Sequence, residues 1–569
     1  MNRRVLLLII GALSFPLACG EPSGPAYETL AITTTSLPNA SPNVAYSETL
    51  VATGGDSIYT WSVTVSSPPA GLSLAASTGV VSGTPTGASS TFTVQVASGD
   101  GQTDTQQLTI DVYDVLSVKT TSLPSGSTGV AYSEALVATG GDSNYTWSVT
   151  DGSLPTGLSL ADSTGVISGT PSAEGSDTFA VQVVSGDGQA ETQQLAIDVA
   201  LVLQPSERCS DYPDYAIARF EDVNLEGAIR AALSAGAQED LTCRLLAELM
   251  VLRDHFDGIT SLVGIQNLTS LTYLDLSLNS INDISTLSGL TSLTYLDLSG
   301  NLLSDISALS GLMRLSGLWL GHNSISDVGA LSGLTSLTSL SLGSNSISNI
   351  SALSGLTSLQ NLYLYSNSIS DVGALSGLAS LTYLDLGGNS ISDVSALGGL
   401  TSLTYLALYG NLLSDLSPLS GLANLEDLRL HINSISDLSA LSGLTSLEGL
   451  YLDYNSISDI GVLSGLTSLS VLSLGHNSIS DVSALSGVTS LRFLYLENNS
   501  ISDIGAMSGL TSLKVLWLFA NPDLTNVQPL LDNVGLGDGD EVDLRFTSVS
   551  CADVAALRAK GVTVGSDCP

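Results

Sequence analysis

The chain has 569 residues, with 15 Lys and Arg against 54 Asp and Glu and a net charge of -39. That length is too great for one core. The charge excludes nucleic acid as a partner, because a phosphate backbone needs a basic surface, and it fits neutral or cationic partners instead.

The first segment, residues 1–18, opens with Arg3 and Arg4 and runs into an apolar stretch. A positive start before a run too short to span a bilayer reads as a secretory signal. It ends in "PLAC", which resembles the bacterial lipobox. That resemblance implies cleavage before Cys19 and a lipid on Cys19. The alternative is an ordinary signal peptide cut near Ala18. Attachment to a membrane is expected through this lipid only, at the outer membrane or cell surface. Residues 19–28, rich in Gly and Pro, read as a flexible tether.

Two similar segments follow, at 29–114 and 115–200. "ATGGDSIYTWSV" at Ala52 returns as "ATGGDSNYTWSV" at Ala138, and the pairs Trp61/Trp147 and Tyr46/Tyr132 share the same offset of 86. Short alternating runs such as "TFTVQVAS", bounded by Gly, Pro, Ser and Asp, predict a β-sandwich in each copy. "LPTGLSLADSTGVISGTP", Leu154 to Pro171, resembles the immunoglobulin-like domains of bacterial surface proteins. Trp61 and Trp147 are expected in the cores. "SGDG" at Ser98 and Ser185 reads as a tight hairpin turn rather than a calcium loop.

The long remainder divides into a cap at 201–258, repeats at 259–521 and a second cap at 522–569. Twelve asparagines from Asn279 to Asn521 fall on an unbroken 22-residue ladder. Around them runs L-x-x-L-x-L-x-x-N, the leucine-rich repeat pattern of a short strand, a turn and a brief helical segment. One unit cannot bury its apolar side, but stacked units cover one another. The Asn side chain is expected to satisfy backbone groups in the turn after the strand. The Asp column from Asp283 to Asp503 precedes each helical turn and reads as a cap for free N–H groups, with calcium collection the weaker reading. The spacing and surrounding residues resemble internalin-type leucine-rich repeat proteins, and "FEDVNLEGAIRAAL", Phe220 to Leu233, resembles their helical cap. The expected fold class is therefore mainly β and multidomain: two immunoglobulin-like sandwiches, then a solenoid with a concave parallel sheet.

Cys209 and Cys243 flank the N-terminal cap, and Cys551 and Cys568 lie in the C-terminal cap. An exported chain keeps disulfides, and solenoid ends gain most from a staple, so each pair is expected to be bonded. No zinc-ligand spacing, P-loop, G-x-S-x-G or H-E-x-x-H occurs in the sequence. No enzyme activity, cofactor or metal is expected.

The informative residues are those that vary between repeats. Counted from the first Leu of the pattern, positions three, five, seven and eight face outward from the strand or lie at its edge. From Leu271 to Asn521 there are ten Tyr, two Trp and two Phe, and all of them occupy these positions. Position three reads partly as filler, because "LTYLDLS" is close to the repeat's own consensus. The expected partner-binding residues are Trp319, Tyr363, Tyr365, Tyr383, Tyr405, Tyr409, Arg429, His431, Tyr451, Asp453, Tyr454, Phe493, Tyr495, Trp517 and Phe519. The reading is non-catalytic recognition of a protein by a monomeric surface lipoprotein. A polysaccharide bound to the same aromatic face is the alternative.

Overall fold

The computed structural model describes residues 26–568. The signal segment 1–18 and Cys19 lie outside the described residues. The chain divides into two compact units between Ala200 and Leu201.

The first unit holds both small domains. In the first, strands Tyr46–Thr49, Val80–Gly83 and Leu72–Leu74 form one antiparallel sheet, and Tyr59–Val65, Ser90–Ser98 and Thr103–Ile110 form another. Trp61, Val81, Phe92 and Ile110 share a single core between them. In the second, Trp147, Ile167, Phe179 and Ile197 repeat that core. The alternation of the sequence produces this: every second residue of Ser90–Ser98 turns inward. Each indole leaves no room beside it. Gly79 and Gly165 both have φ +71, and a Cβ at either would collide with the Trp ring. The phenols of Tyr46 and Tyr132 donate to the carbonyls of Pro38 and Pro124, 3.1 Å away in both copies. Ser98 and Ser185 sit at tight hairpin turns, where a Gly N–H bonds back to each Ser carbonyl.

The second unit is built on one sheet of 15 parallel strands, running from Val251–Arg253 to Thr563–Gly565. Twelve of these strands belong to the repeats. The sheet thus begins in the segment read as the N-terminal cap and continues through two strands of the C-terminal one. Neighbours pair in strict register, Leu274 with Leu296 and Leu296 with Leu318. Leucines at positions one, four and six are sealed from solvent, and one core runs from Ala218 to Val564. Short 3₁₀ turns such as Ser307–Gly311 close the other side.

Two ladders of polar side chains satisfy the backbone between strand and turn. Asn301 donates to the carbonyl of Leu298 in its own repeat and to that of Leu276 in the one before. Its Oδ1 accepts from the N–H of Ile281 at 3.0 Å. The Asp column behaves as a cap: Asp305 Oδ1 accepts from Ser307 N–H at 2.8 Å, and Asp327 from Gly329 in the same way. That backbone bond holds the Asp305 carboxyl below the usual range.

At the N-terminal end, helices Val223–Leu233 and Cys243–Leu246 cover the first strand. Asp222 caps the longer helix by accepting from Asn224 and Leu225 N–H. Disulfides join Cys209 to Cys243 and Cys551 to Cys568. Among the described residues no helix is long and apolar enough to cross a membrane.

Candidate recognition surface

The strand of each repeat is only three residues long, yet it decides where every ring goes. Position four points into the leucine core, so positions three and five point out of the sheet. Position eight is forced differently. Leu278, His322, Ile432, Tyr454 and His476 all have φ between 54° and 60°, and Gly300, Gly388 and Gly410 fill the same place in other repeats. The chain turns left-handed here to leave the strand, which throws the position-eight side chain onto the sheet's edge.

The rings do not stand singly. Trp319 meets Tyr363 at 5.8 Å between centroids, Tyr363 meets Tyr383 at 4.8 Å, and Tyr383 stacks on Tyr405 at 4.1 Å with the planes 4° apart. Arg429 continues the row. Its guanidinium carbon lies 5.1 Å from the ring centroids of both Tyr405 and Tyr451, so the cation is held between two aromatic faces. Its Nε donates to Asp427 at 2.9 Å. Six of the expected residues therefore form one continuous band from Trp319 to Tyr451.

The other residues form smaller groups beside it. Tyr409 stacks on His431 at 4.8 Å, and Tyr454 on His476 at 3.9 Å. Tyr365 meets His322 edge-on. Glycines make room for two of these rings: a Cβ at Gly343 or Gly387 would collide with the ring of Tyr365 or Tyr409. Tyr495, Trp517 and Phe519 cluster at the C-terminal end. Phe493 is met by Arg492 rather than by a ring. Asp453 accepts from Ser473 Oγ and from Gly475 N–H.

Burial among the rings changes the ionisable groups. It pushes the phenols of Tyr383 and Tyr405 upward. It raises the carboxyls of Asp385 and Glu497, and it lowers His431, which keeps that imidazole neutral near pH 7. The indole N–H groups of Trp319 and Trp517 are buried and find no acceptor among the described residues. Among the described residues no cluster of three or more His, Cys, Asp or Glu is arranged to hold a metal ion. The surface offers apolar area, stacked π faces and a few polar groups.

Comparison with known proteins assigns the fold. The family described as "Putative Ig domain" matches residues 28–113 and 115–200. The family described as "Leucine Rich repeats (2 copies)" matches six times between residues 269 and 532. The solved structure of internalin InlF from Listeria monocytogenes is similar at 38% identity, covering 56% of this chain and 94% of that one, with a TM-score of 0.54. The chain belongs to the internalin family. A leucine-rich repeat protein of Leptospira interrogans is similar at 25% identity, covering 57% of this chain and 85% of that one, with a TM-score of 0.53. No curated protein matches the sequence.

In this internalin the position-three tyrosines take part in the ring contacts. Tyr383 and Tyr405 lie within the central band, and Tyr273 stacks on Tyr295 at 4.3 Å. Sequence reasoning missed a further strand, Val251–Arg253, whose Arg253 lies 4.3 Å from the centroid of Tyr273. Its signal is present in "LMVLRDHFD", which keeps Leu249 and Leu252 at positions one and four and puts Asp257 at the Asn position. His322, His431 and His476 share the outward register of the aromatics, and sequence reasoning missed only that His255 joins them at position seven. An internalin fold of this kind is a scaffold for recognition between proteins.

Proposed function

We propose that this chain is an exported recognition protein that holds a protein partner against the outward face of its long sheet. The band from Trp319 to Tyr451 forms the centre of the contact. One observation supports this above the rest: every ring of the repeats lies on that face, packed against another ring or a cation rather than in the leucine core. Such rings are already ordered, so they bury large area on binding at a small further cost in entropy. Asp385, Asp453 and Glu497 among them favour a neutral or basic partner surface. Position-eight residues Tyr454 and His476 form the rim.

The two immunoglobulin-like domains, 29–114 and 115–200, serve as a stalk, and a lipid on Cys19 tethers the chain to the outer membrane or cell surface. Cys19→Ser should release the protein into the soluble fraction. Persistent membrane attachment, with no lipid on the wild type by mass spectrometry, would contradict the tether.

A polysaccharide is the second reading. The row of stacked ring faces favours it, because a sugar ring can also lie on such faces. Exposing the protein in parallel to immobilised surface proteins and to a glycan array separates the two. Saturable binding to proteins alone supports the first reading, and binding to glycans alone supports the second.

A further inference from the structure

Between two large-residue strands lies one small-residue strand. Tyr451, Ser473 and Tyr495 stand side by side in register. Two residues further on, the same three repeats carry Asp453, Gly475 and Glu497. The middle repeat contributes only a hydroxymethyl group and a hydrogen, so the face has a notch with a tyrosine and a carboxylate on each side.

The two carboxylates close over the floor of this notch. Asp453 accepts from Ser473 Oγ and from Gly475 N–H, and Glu497 Oε1 occupies the space that a Cβ would take at Gly475. Glu497 is only 8% exposed, and its Oε2 has no hydrogen-bond partner among the described residues. Neither acid enters an ion pair among the described residues. Arg429 lies on the far side of Tyr451 and is held by Asp427. A buried carboxylate with a free lone pair and an acidic neighbour lacks a counter-cation. Mutual repulsion with Asp453 adds to burial in raising the Glu497 carboxyl, a further sign of that lack.

We propose that the notch receives a lysine or arginine side chain of the protein partner. The alkyl stem lies between Tyr451 and Tyr495, and the cationic head meets the Glu497 and Asp453 carboxylates from the open side of the notch. Tyrosine faces suit both parts, the stem by apolar contact and the head by cation–π attraction. This rests on the reading of the outward face as the recognition surface, and it fixes one chemical feature of the partner.

The test uses the full exported chain and short blocked peptides, Gly-Lys-Gly and Gly-Arg-Gly, with Gly-norleucine-Gly as the uncharged twin. Saturation-transfer NMR at about 0.15 M salt, where long-range attraction to an acidic protein is screened, reads the contact. The lysine or arginine peptide should show a signal at least fivefold above norleucine. Glu497→Gln should remove most of it, and Ser473→Tyr, which fills the notch without changing charge, should do the same. Glu448→Gln, an equal loss of charge at an exposed site, should leave it unchanged. Equal signals from all three peptides, or equal losses in Glu497→Gln and Glu448→Gln, would overturn the notch. If ring truncations such as Tyr405→Ala still weaken a protein partner in that event, the recognition face stands without it.

Discussion

Asn411 donates from Nδ2 to the carbonyl of Leu386, in the preceding repeat, at 3.0 Å, and to that of Leu408 in its own repeat at 3.1 Å. Its Oδ1 accepts from the N–H of Ile391. With a further bond to the Tyr409 carbonyl, one buried side chain thus ties four backbone groups of two coils. Asn411→Ala leaves those groups unpaired, at roughly 1–3 kcal/mol for each that water cannot reach. Urea unfolding should show a large drop in midpoint. Asp415→Ala, which removes only exposed bonds from the Ser417 N–H and Oγ, should cost about 1 kcal/mol or less. Similar midpoints for both variants would contradict the ladder's role.

The disulfides should matter most at the ends. Cys551 and Cys568 are 17 residues apart, and Cys209 and Cys243 are 34 apart. Loops of this length lose about 3 kcal/mol or more of unfolded-state entropy when closed. A terminal coil has a neighbour on one side only, so the effect is local. Cys551→Ser with Cys568→Ser should speed amide exchange in Thr563–Gly565 well before it affects Tyr405–Ala407. Uniform change along the sheet would count against this.

Asp254 takes position six, where the repeats carry leucine. Burial, together with a bond to the Asp257 carboxyl, pushes its pKa from 3.8 to about 6. Between those values the folded chain holds a proton that the unfolded chain has released. Stability therefore falls as pH rises through this window and stays lower above it. Asp254→Asn should melt higher than the wild type at pH 8 and show no such advantage at pH 4. An advantage of the same size at both would show that the carboxyl is not titrating there.

Ile432 is β-branched, 54% exposed, and held at φ +57. That conformation costs a branched residue roughly 1–2 kcal/mol, and asparagine tolerates it far better. Ile432→Asn should raise the thermal midpoint slightly. No gain, or a loss, would mean that the side chain packs where it stands.

The architecture was legible because one period carries it. A 22-residue ladder of Leu and Asn leaves a single stacking solution, and the repeated Trp61 and Trp147 fix two sandwich cores. What the period could not reveal is contact between varied positions. Arg429 between Tyr405 and Tyr451 joins residues 22 and 24 apart, and nothing in a single repeat announces that geometry. The sheet's extension at Val251–Arg253 was hidden because Asp254 replaces leucine at position six and Asp257 replaces asparagine. The notch at Ser473 and Gly475 is a local absence of bulk, and it gains meaning only when Tyr451 and Tyr495 are seen on either side.

The central claim is that the ringed face of the sheet holds the partner. The most direct measurement is the affinity of a captured protein partner for the wild type, Tyr405→Ala and Ser354→Ala. Tyr405 lies in the central band, whereas Ser354 lies in the 3₁₀ turn Ser351–Gly355 on the opposite side. Tyr405→Ala should weaken binding by about 1–3 kcal/mol, as a buried aromatic anchor does, with the fold intact by circular dichroism. Ser354→Ala should leave binding unchanged. Equal losses from both variants, or full affinity in Tyr405→Ala, would contradict the account and move the search to the immunoglobulin-like domains.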